Sequence, residues 1–326
     1  MKTIFLNGDP ELIQRVYSAG VRAKLGQPEI IAPDTLRRRD LRGVECIFST
    51  WGMPALTEEE IAAIFPSLKA VFYAAGSVQG FARPFLRQGV RVFSAWGANA
   101  VPVAEFTVAQ IVLANKGFFR SAALMKAKKR GSAKKVAQGL PGNFDTKVGL
   151  IGCGMIGSLV AQMLRAYRLE VLACDPYLSD ERAAELNVTK CPLEQLFAEC
   201  QVISNHLADN EQTRGMLNYS LFRLMKPDAA FINTGRGAQV VEADLIRALK
   251  EEPGRAALLD VTFPEPPRPG SRLYTLPNVI LTPHIAGSMG REVERMGEYM
   301  AGEFEAWLHG RELRYEVTQE MLETMA

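Results

Sequence analysis

A short apolar run followed by three spaced glycines constrains the fold of this chain more than any other feature. The run from Val148 to Ile151 has the length and composition of a buried strand. Gly152, Gly154 and Gly157 follow it, and the residues after them repeat apolar side chains at helical spacing. A second apolar run covers residues 170 to 174. The stretch therefore predicts a strand, a tight turn, a helix and a second parallel strand.

Each glycine has its own physical role in a turn that binds a dinucleotide. The first permits the bend, the second lets the backbone approach a pyrophosphate, and the third lets the helix pack on the strand. The first helical turn, with Met155 and Ile156, offers unpaired N–H groups to phosphates. Asp175, followed by Pro176, can accept both ribose hydroxyls and would repel a 2′-phosphate. The pattern predicts NAD, with NADH preferred over NADPH, although a methyltransferase that binds S-adenosylmethionine would use a similar turn.

Length and composition limit the class of protein. At 326 residues the chain is long enough for two domains, and a net charge of +2 gives no case for nucleic-acid or membrane partners. The first residues have too short an apolar run for a signal peptide, and the apolar segment from Val101 to Leu113 is expected to be too short to span a bilayer. Five cysteines without a CxxC pair favour a reducing compartment, so we expect a cytoplasmic protein. The three histidines lack metal-ligand spacing with cysteine, and we expect no metal.

Strands and helices alternate on both sides of the glycine turn, which predicts parallel sheets with helices on both faces. Residues 1 to about 98 are expected to form a small α/β unit. A long helix is predicted from Pro102 to Phe119, and a last helix from Ser288 to Gly310 is expected to return to the first domain. The basic stretch from Lys126 to Lys135 is more typical of a solvated arm or a subunit contact than of a nucleic-acid site.

Two loops of the first unit follow predicted strands, where open α/β sheets bind ligands. One loop contains Trp51, and Trp51 and Trp96 are candidates for the wall of a substrate cleft. The other runs from Ala74 to Val78, and its successive N–H groups could hold a carboxylate. An ordinary strand-to-helix turn explains the same glycine and serine equally well.

Three polar residues follow predicted strand ends in the second half: Arg236, Glu265 and His284. Alone, each has an ordinary explanation, as a surface cation, a polar loop residue and a buried histidine. Together they suit a 2-oxo acid, because Arg236 can hold a carboxylate and a carbonyl with its fork of donors. His284 can protonate the carbonyl oxygen as hydride arrives from a nicotinamide, and Glu265 can bond the other ring nitrogen.

The segments VGLIGCGMIG, FINTGRGAQVVEADLIRAL, ALLDVTFPEPP and LPNVILTPHIAGS cover most of residues 147 to 288. At these segments the chain resembles the D-isomer-specific 2-hydroxyacid dehydrogenase family. The resemblance implies an NAD-dependent oxidoreductase that interconverts a small-molecule 2-oxo acid and a D-2-hydroxy acid, with Arg236, Glu265 and His284 as the catalytic set. It implies an α/β fold with two Rossmann-like or flavodoxin-like doubly wound parallel-sheet domains. Residues 1–98 plus 288–326 would form the substrate domain and residues 99–287 an inserted NAD-binding domain, in a homodimer held by cofactor-domain helices and arms.

The motifs and the resemblance together give the expected binding residues. The cofactor is expected to contact Gly152, Gly154, Met155, Ile156, Gly157, Asp175, Pro176, His206, Thr213, Thr234, Gly235, Arg236, Asp260, His284 and Gly287. The substrate is expected to contact Trp51, Ala75, Gly76, Ser77, Val78, Asn99, Arg236 and His284. The resemblance places Asp260 near the nicotinamide carboxamide, the Thr234 backbone beside the same ring, and Asn99 at a hinge.

The chain departs from the family at two positions. Met155 stands where the family often has Arg or Asn, so one contact to the pyrophosphate is expected to be absent. The loop from His206 to Asn210 lacks the usual proline, and Asp209 adds negative charge near the cofactor. The alternative function is a non-catalytic NAD-sensing protein of the same fold that acts through a protein partner. Such a sensor has no need for an intact Arg–Glu–His set, and a methyltransferase would leave His284 and Glu265 without roles.

Overall fold

The computed structural model describes residues 1–323. Its strands, in chain order, are β1 (Lys2–Leu6), β2 (Glu29–Ile31), β3 (Val44–Ser49), β4 (Ala70–Tyr73), β5 (Arg91–Ser94), β6 (Phe144–Ile151), β7 (Arg168–Cys174), β8 (Thr189–Lys190), β9 (Val202–Asn205), β10 (Ala230–Asn233), β11 (Ala256–Leu259), β12 (Val279–Leu281) and β13 (Glu316–Val317). Its α-helices are α1 (Pro10–Val16), α2 (Ala19–Lys24), α3 (Glu58–Ile64), α4 (Ala82–Arg87), α5 (Trp96–Asn115), α6 (Phe118–Lys126), α7 (Arg130–Gly139), α8 (Met155–Leu164), α9 (Asp180–Leu186), α10 (Leu193–Glu199), α11 (Tyr219–Phe222), α12 (Glu242–Glu251) and α13 (Val293–Leu308).

The chain divides into two compact units. Unit 1 combines Met1–Asn99 with Ser288–Ala326, and unit 2 is the continuous segment Ala100–Gly287. The last three residues of the predicted substrate domain, 324–326, lie outside the described residues. Each unit is built on one sheet with helices between its strands. The predicted fold class, α/β with two doubly wound parallel-sheet domains, is confirmed.

Unit 1 has a six-stranded sheet in the order β13-β5-β4-β3-β1-β2. Its strands are parallel except β13, which pairs antiparallel with β5 at the edge. Successive residues of the central strands enter different cores, as Val71 and Phe72 of β4 do, so both faces of the sheet are buried. On one face Phe304 of α13 packs edge-on against Phe48 and Phe72, at centroid distances of 5.1 and 5.3 Å.

Unit 2 has a seven-stranded parallel sheet in the order β12-β11-β10-β9-β6-β7-β8. The chain moves outward in one direction from β6 to β8 and then in the other direction from β9 to β12. This reversal places a topological switch point between β6 and β9, and ligands of open α/β sheets bind at the carboxyl ends of such strands. Apolar cores cover both faces here too, with Leu150 on one side of β6 and Ile151 on the other.

Helix α5 differs from its prediction at both ends. It begins at Trp96, so Pro102 lies inside it rather than at its first turn, and it ends at Asn115, just before Gly117 at φ +63°. A residue in this left-handed conformation ends a helix, which is why α6 begins separately at Phe118. The expectation that this apolar segment is too short to cross a bilayer is wrong, because α5 has 20 residues. It has the length and composition of a membrane span, and 61% of its most apolar window is buried inside the protein.

Other differences are small. The predicted last helix begins later than expected, since a 3-10 turn covers Gly290–Glu292 before α13 starts. The basic stretch forms the end of α6 and most of α7, which pack against each other. The strands β8 and β13 have two residues each, which are too few to establish an alternating pattern in the sequence. Helix α3 begins with a capping box, in which Thr57 and Glu60 are the partners.

Candidate active site

The glycine turn of unit 2 connects β6 to α8 at the switch point. Gly152 has φ +86°, and a Cβ there would lie about 3.1 Å from the backbone of His206. A Cβ at Gly157 would overlap the carbonyl oxygen of Gly152, at a separation that real Cβ atoms do not show. A Cβ at Gly154 would meet no atom within 4 Å. The protein's own packing therefore requires the first and third glycines, whereas the space in front of Gly154 is open.

Helix α8 begins at this open space. Gly154 is its N-cap and provides no side-chain bond to the first turn, so first-turn N–H groups remain available to an anion. Met155 is 48% exposed at the first helical position, and Ile156 packs against the core. An uncapped helix terminus that faces open space suits a diphosphate, and the neutral Met155 adds no charge to it.

Asp175 follows β7 and lies beside the same turn. Its Oδ2 accepts a hydrogen bond from the N–H of Cys153 at 2.6 Å, and its Oδ1 accepts one from the N–H of Tyr177 at 2.8 Å. These bonds fix the carboxylate, while each oxygen keeps a further acceptor position for a hydroxyl group. Pro176 and Tyr177 are exposed beyond it. The turn, the helix terminus and the acid together fit a dinucleotide.

His206 follows β9 on the other side of the switch point. Its N–H donates to the carbonyl of Ile151 at 2.8 Å, and its Nε2 lies 3.0 Å from Ser204 Oγ. Among the described residues its buried Nδ1 has no hydrogen-bond partner. Burial lowers the pKa of His206 to about 4, so the ring is neutral at pH 7 and gives a bound diphosphate no positive charge.

The loop after His206 is held closed by its own side chains. Thr213 Oγ1 donates to the carbonyl of Ala208 at 2.7 Å and accepts from the N–H of Asn210 at 3.1 Å. Asp209 is paired with Arg214, whose Nε and Nη2 donate to its two oxygens at 2.9 and 3.3 Å. The negative charge that the sequence places near the cofactor is therefore partly balanced within the loop.

Three adjacent strands bring the predicted catalytic residues to one edge of the sheet. Arg236 follows β10, Glu265 lies in the segment that follows β11, and His284 follows β12; Asp260 directly follows β11 as well. His284 Nδ1 lies 2.7 Å from Glu265 Oε1, and the two side chains are 49% and 42% exposed. With Nδ1 engaged, Nε2 is the ring atom that can exchange a proton with a substrate. The pairing of His284 with Glu265 is the geometry that acid–base chemistry needs.

Asp260 fixes the backbone that carries His284. Its Oδ1 accepts from Thr282 Oγ1 at 2.6 Å and from the N–H of Ile285 at 2.9 Å, and its Oδ2 accepts from the N–H of Ala286 at 2.8 Å. His284 itself has φ +56° and donates its N–H to the carbonyl of Asp260 at 3.0 Å. The buried carboxylate thus holds an unusual backbone conformation in place. Gly287, also expected at the cofactor, follows directly and ends unit 2.

Arg236 is partly buried at the start of a 3-10 turn, and its Nη1 donates to the carbonyl of Gly235 at 2.8 Å. Burial lowers the pKa of Arg236, and the negative charges of Asp209 and Glu265 oppose that shift. The side chain nonetheless stays charged at neutral pH, because an arginine pKa begins far above 7. Next to it, Thr234 is buried and shares a hydrogen bond of 3.1 Å with the hydroxyl of Thr107.

Of the predicted substrate residues in unit 1, Trp51 follows β3, Ala75 to Val78 follow β4, and Asn99 lies in α5. Ser94 Oγ donates to the carbonyls of Ala75 and Gly76, which fixes the loop that continues to Ser77 and to the buried Val78. Asn99 approaches this loop, because a Cβ at Gly76 would lie 3.5 Å from its Nδ2.

Asn99 also ties the two chain segments of unit 1 together, since its Oδ1 accepts from the N–H of Ser288 at 2.9 Å. Trp51 is 39% exposed, and its carbonyl accepts from Asn7 Nδ2 at 2.7 Å. The structure therefore places Asn99 beside Gly76 and leaves Trp51 partly exposed to solvent. Three arginines of this unit form ion pairs with acids of the same unit: Arg83 with Glu323, Arg87 with Glu58 and Arg91 with Glu316.

Sequence reasoning missed several buried polar residues of unit 2, among them Thr107, Asn205, Asn233 and Gln239. All four make side-chain hydrogen bonds near the ends of β9 and β10. A signal was present for two of them, because Asn205 and Asn233 each end an apolar run, where a polar residue faces the binding edge of a sheet.

The sequence pattern described as "D-isomer specific 2-hydroxyacid dehydrogenase, NAD binding domain" matches residues 108–286. A D-3-phosphoglycerate dehydrogenase of Archaeoglobus fulgidus is 35% identical over 202 residues, which cover 62% of this chain. The NAD-complexed D-isomer specific 2-hydroxyacid dehydrogenase from Lactobacillus delbrueckii ssp. bulgaricus has a TM-score of 0.78 at 22% identity, covering 98% of this chain and 100% of that one. An acyclic imino acid reductase in complex with NADPH and D-Arg has a TM-score of 0.71 at 21% identity, covering 97% and 100%.

The fold and the glycine turn define a dinucleotide-binding α/β protein. Because the family pattern matches more than half of its residues, the chain belongs to the D-isomer specific 2-hydroxyacid dehydrogenase family, and residues 108–286 are the family's NAD-binding domain. The resemblance read from the motifs is confirmed. The chain spans 38% of the length of the Archaeoglobus relative and 59% of a relative from Bacillus subtilis.

Proposed function

We propose that this protein is an NAD-dependent oxidoreductase that interconverts a 2-oxo acid and a D-2-hydroxy acid. The observation that carries the proposal is the His284–Glu265 pair, at 2.7 Å, on the sheet edge that also holds Arg236. A protein that only binds the nucleotide needs neither a carboxylate-backed imidazole nor a half-buried arginine there. When bound, NAD(H) supplies the hydride for reduction or accepts it in oxidation.

Arg236 binds the substrate in this proposal. Its planar guanidinium can donate two parallel hydrogen bonds to a carboxylate and can also polarise the neighbouring carbonyl. Partial burial strengthens these bonds, because less water competes for the donors. The lowered pKa of Arg236 reports this loss of solvent, and it leaves the group cationic at neutral pH.

His284 moves the proton. As an imidazolium it donates from Nε2 to the carbonyl oxygen, which becomes the hydroxyl group of the product. As a neutral ring it accepts the hydroxyl proton in the opposite direction. Glu265 holds Nδ1 and thereby orients Nε2, and Asp260 holds the backbone on which the ring is mounted.

For the cofactor we propose the contacts expected from the sequence, with the diphosphate in the open space at Gly154. We further propose a preference for NADH, because the fixed carboxylate of Asp175 would repel the 2′-phosphate of NADPH. For the substrate we propose the loop from Ala75 to Val78, with Trp51 and Asn99 as specificity residues. The carbonyls fixed by Ser94 favour a rigid loop, and the exposed ring of Trp51 can contact a side chain of the substrate.

We propose a homodimer that is located in the cytoplasm. An apolar groove between α5 and α8 supports the dimer, because its side chains leave an open apolar surface around Val112, Leu113, Met163 and Tyr167. Helix α6, which has no fully buried residue, is a candidate arm for a second copy. Five free cysteines agree with a reducing compartment.

A panel of 2-oxo acids tests the proposed reaction. Consumption of NADH is followed by absorbance with glyoxylate, hydroxypyruvate, its phosphorylated form, and branched or aromatic oxo acids. The variant His284→Gln is expected to lower kcat by about 10²- to 10⁴-fold while it binds NADH normally. The matched control is His309→Gln, which changes the exposed histidine at the C-cap of α13.

Three results would refute the proposal. One is tight NADH binding without oxidation by any member of the panel, which would favour the NAD-sensing protein. The others are full activity in His284→Gln and equal losses in the two histidine variants.

A further inference from the structure

A cluster of buried amide side chains lies at the carboxyl ends of β9 and β10. Asn205 ends β9, Asn233 ends β10, and Gln239 belongs to the 3-10 turn Gly237–Gln239; each amide has no exposed surface. Asn205 Nδ2 donates to Asn233 Oδ1 at 3.0 Å and to Gln239 Oε1 at 2.5 Å. The three side chains therefore form one connected network in a position where an unpaired polar atom would be costly.

Gln239 connects this network to the loop on the nucleotide side. Its Nε2 donates to the carbonyl of Leu207 at 2.8 Å and to the carbonyl of Ala208 at 2.9 Å. Asn205 supports the same loop, since its Oδ1 accepts from the N–H of Leu207 at 3.3 Å. Both N–H groups of the Gln239 amide are thus committed to the segment that follows His206.

The same network holds the backbone of Arg236. Gln239 Oε1 accepts from the N–H of Arg236 at 3.3 Å, and Asn233 Nδ2 donates to the carbonyl of Arg236 at 3.0 Å. Asn233 Oδ1 also accepts from the N–H of Gly235 at 3.1 Å. A single amide group, that of Gln239, therefore contacts the nucleotide-side loop through its nitrogen and the arginine through its oxygen.

We propose that Gln239 is a positioning residue that couples the loop at Leu207 and Ala208 to the placement of Arg236. An amide is planar, so a movement of the loop that keeps its two hydrogen bonds must turn or shift the oxygen that receives the Arg236 N–H. Breaking the bonds instead would leave buried polar atoms unpaired. Nucleotide binding that orders the loop would in this way orient the substrate arginine. This inference rests on the proposed function, which assigns the loop to the nucleotide and Arg236 to the substrate.

Two variants of Gln239 and one control test the coupling. Gln239→Met keeps the side-chain length but removes every hydrogen bond, and Gln239→Glu keeps the acceptor while losing at least one of the two donated bonds. The control is Asn278→Leu, because Asn278 is also buried and its Nδ2 also donates to two carbonyls, those of Leu249 at 3.0 Å and Arg255 at 2.8 Å. The control therefore loses bonds of the same kind at a distance from Arg236.

The measurement is the affinity for oxamate, an unreactive mimic of a 2-oxo acid, with and without NADH. NADH is expected to tighten oxamate binding to the unmodified protein, and Gln239→Met is expected to reduce that enhancement by about tenfold, a typical size for coupling between two sites. Gln239→Glu should weaken NADH binding more than it raises the KM for the oxo acid. Asn278→Leu should lower the melting temperature without changing either the enhancement or the KM.

Hydrogen exchange separates this inference from the proposed reaction. In the unmodified protein NADH should slow exchange of backbone amides at 207–208 and also at 235–236, and in Gln239→Met only the first effect should remain. If no oxo acid is reduced but this exchange pattern is found, the reaction is wrong and the coupling stands. The coupling is overturned if NADH protects 235–236 equally in Gln239→Met, or if Asn278→Leu shows the same losses. If Gln239→Met does not fold, normal NADH affinity in Gln239→Glu overturns it.

Discussion

Replacing Gly154 by alanine should separate what the protein needs to fold from what it needs to bind a nucleotide. A Cβ at this position would meet no protein atom within 4 Å, and the φ of −65° lies outside the left-handed region that favours glycine. The matched variant is Gly157→Ala, three residues further along the chain. Its Cβ would overlap the carbonyl oxygen of Gly152, so this variant should affect folding rather than nucleotide binding alone.

The expected magnitudes follow from these contacts. Gly154→Ala should cost about 1 kcal/mol of unfolding free energy, the difference typical of alanine at an N-cap. The new methyl group would occupy the space where the diphosphate is expected, and losing one hydrogen bond to a charged group costs about 1.5–3 kcal/mol, or about 10- to 150-fold in Kd. Gly157→Ala should cost more than about 3 kcal/mol of stability, because backbone must move to relieve the overlap.

Thermal unfolding and titration with NADH measure both quantities on the same samples. Gly154→Ala should melt within a few degrees of the unmodified protein, since about 1 kcal/mol shifts the melting temperature of a large domain by about 2–4 °C. Its Kd for NADH, followed by fluorescence, should rise by at least about tenfold. Gly157→Ala should melt much earlier or fail to accumulate as folded protein.

Normal NADH affinity in Gly154→Ala would refute the reasoning, because the diphosphate could not then lie against the open turn. Normal stability in Gly157→Ala would show that α8 does not approach the turn as closely as the structure has it. A loss of affinity in Gly154→Ala that is matched by an equal loss of stability would mean that the effect is not one of binding.

Three further predictions concern pH, cofactor choice and assembly. The pKa of His206 falls from 6.5 to about 4 on folding, so as the pH is lowered the unfolded chain takes up a proton before the folded protein does. The free energy of unfolding, measured with urea, should therefore drop by about 2 kcal/mol from pH 7 to pH 5. This part of the drop should disappear in His206→Gln, and an unchanged pH dependence would contradict it. Asp175→Ser should raise the ratio of kcat/KM for NADPH to kcat/KM for NADH by at least about tenfold. An unchanged ratio would show that Asp175 does not select the cofactor. Leu113→Glu places a charge in the apolar groove and should yield monomers in light scattering. Leu308→Glu changes an exposed leucine outside the groove and should leave the dimer intact. A dimer that survives Leu113→Glu would show that this groove is not the dimer interface.

Features that depend on neighbouring residues could be predicted from the sequence. The glycine turn is one, since Gly152 and Gly157 act on a strand and a helix that are continuous with them. The capping box of Thr57 and Glu60 is another, because its two bonds join residues three positions apart. The parallel sheets with helices on both faces are a third, because they were predicted from the alternation of apolar runs with helical patterns.

Features that join distant parts of the chain could not be predicted in this way. Gln239 bonds residues 31 and 32 positions earlier, and Arg91 pairs with Glu316 across 225 positions. A glutamine after a glycine turn looks like ordinary loop polarity until its burial is known. The role of Asp260 in holding the backbone at His284 was missed for the same reason. Its partners Ile285 and Ala286 lie in the loop after β12, 25 and 26 positions further along the chain.

Because unit 1 is formed by two separate segments of the chain, it cannot be completed during synthesis until unit 2 has been made. The ribosome makes all of unit 2, a continuous segment with its own cores, before α13 and β13 exist. Until then the aromatic face of the first sheet lacks Phe304, which covers Phe48 and Phe72 in the finished protein. The nascent chain therefore exposes an apolar surface for as long as the ribosome takes to translate the inserted domain. This is the surface that a chaperone would have to shield.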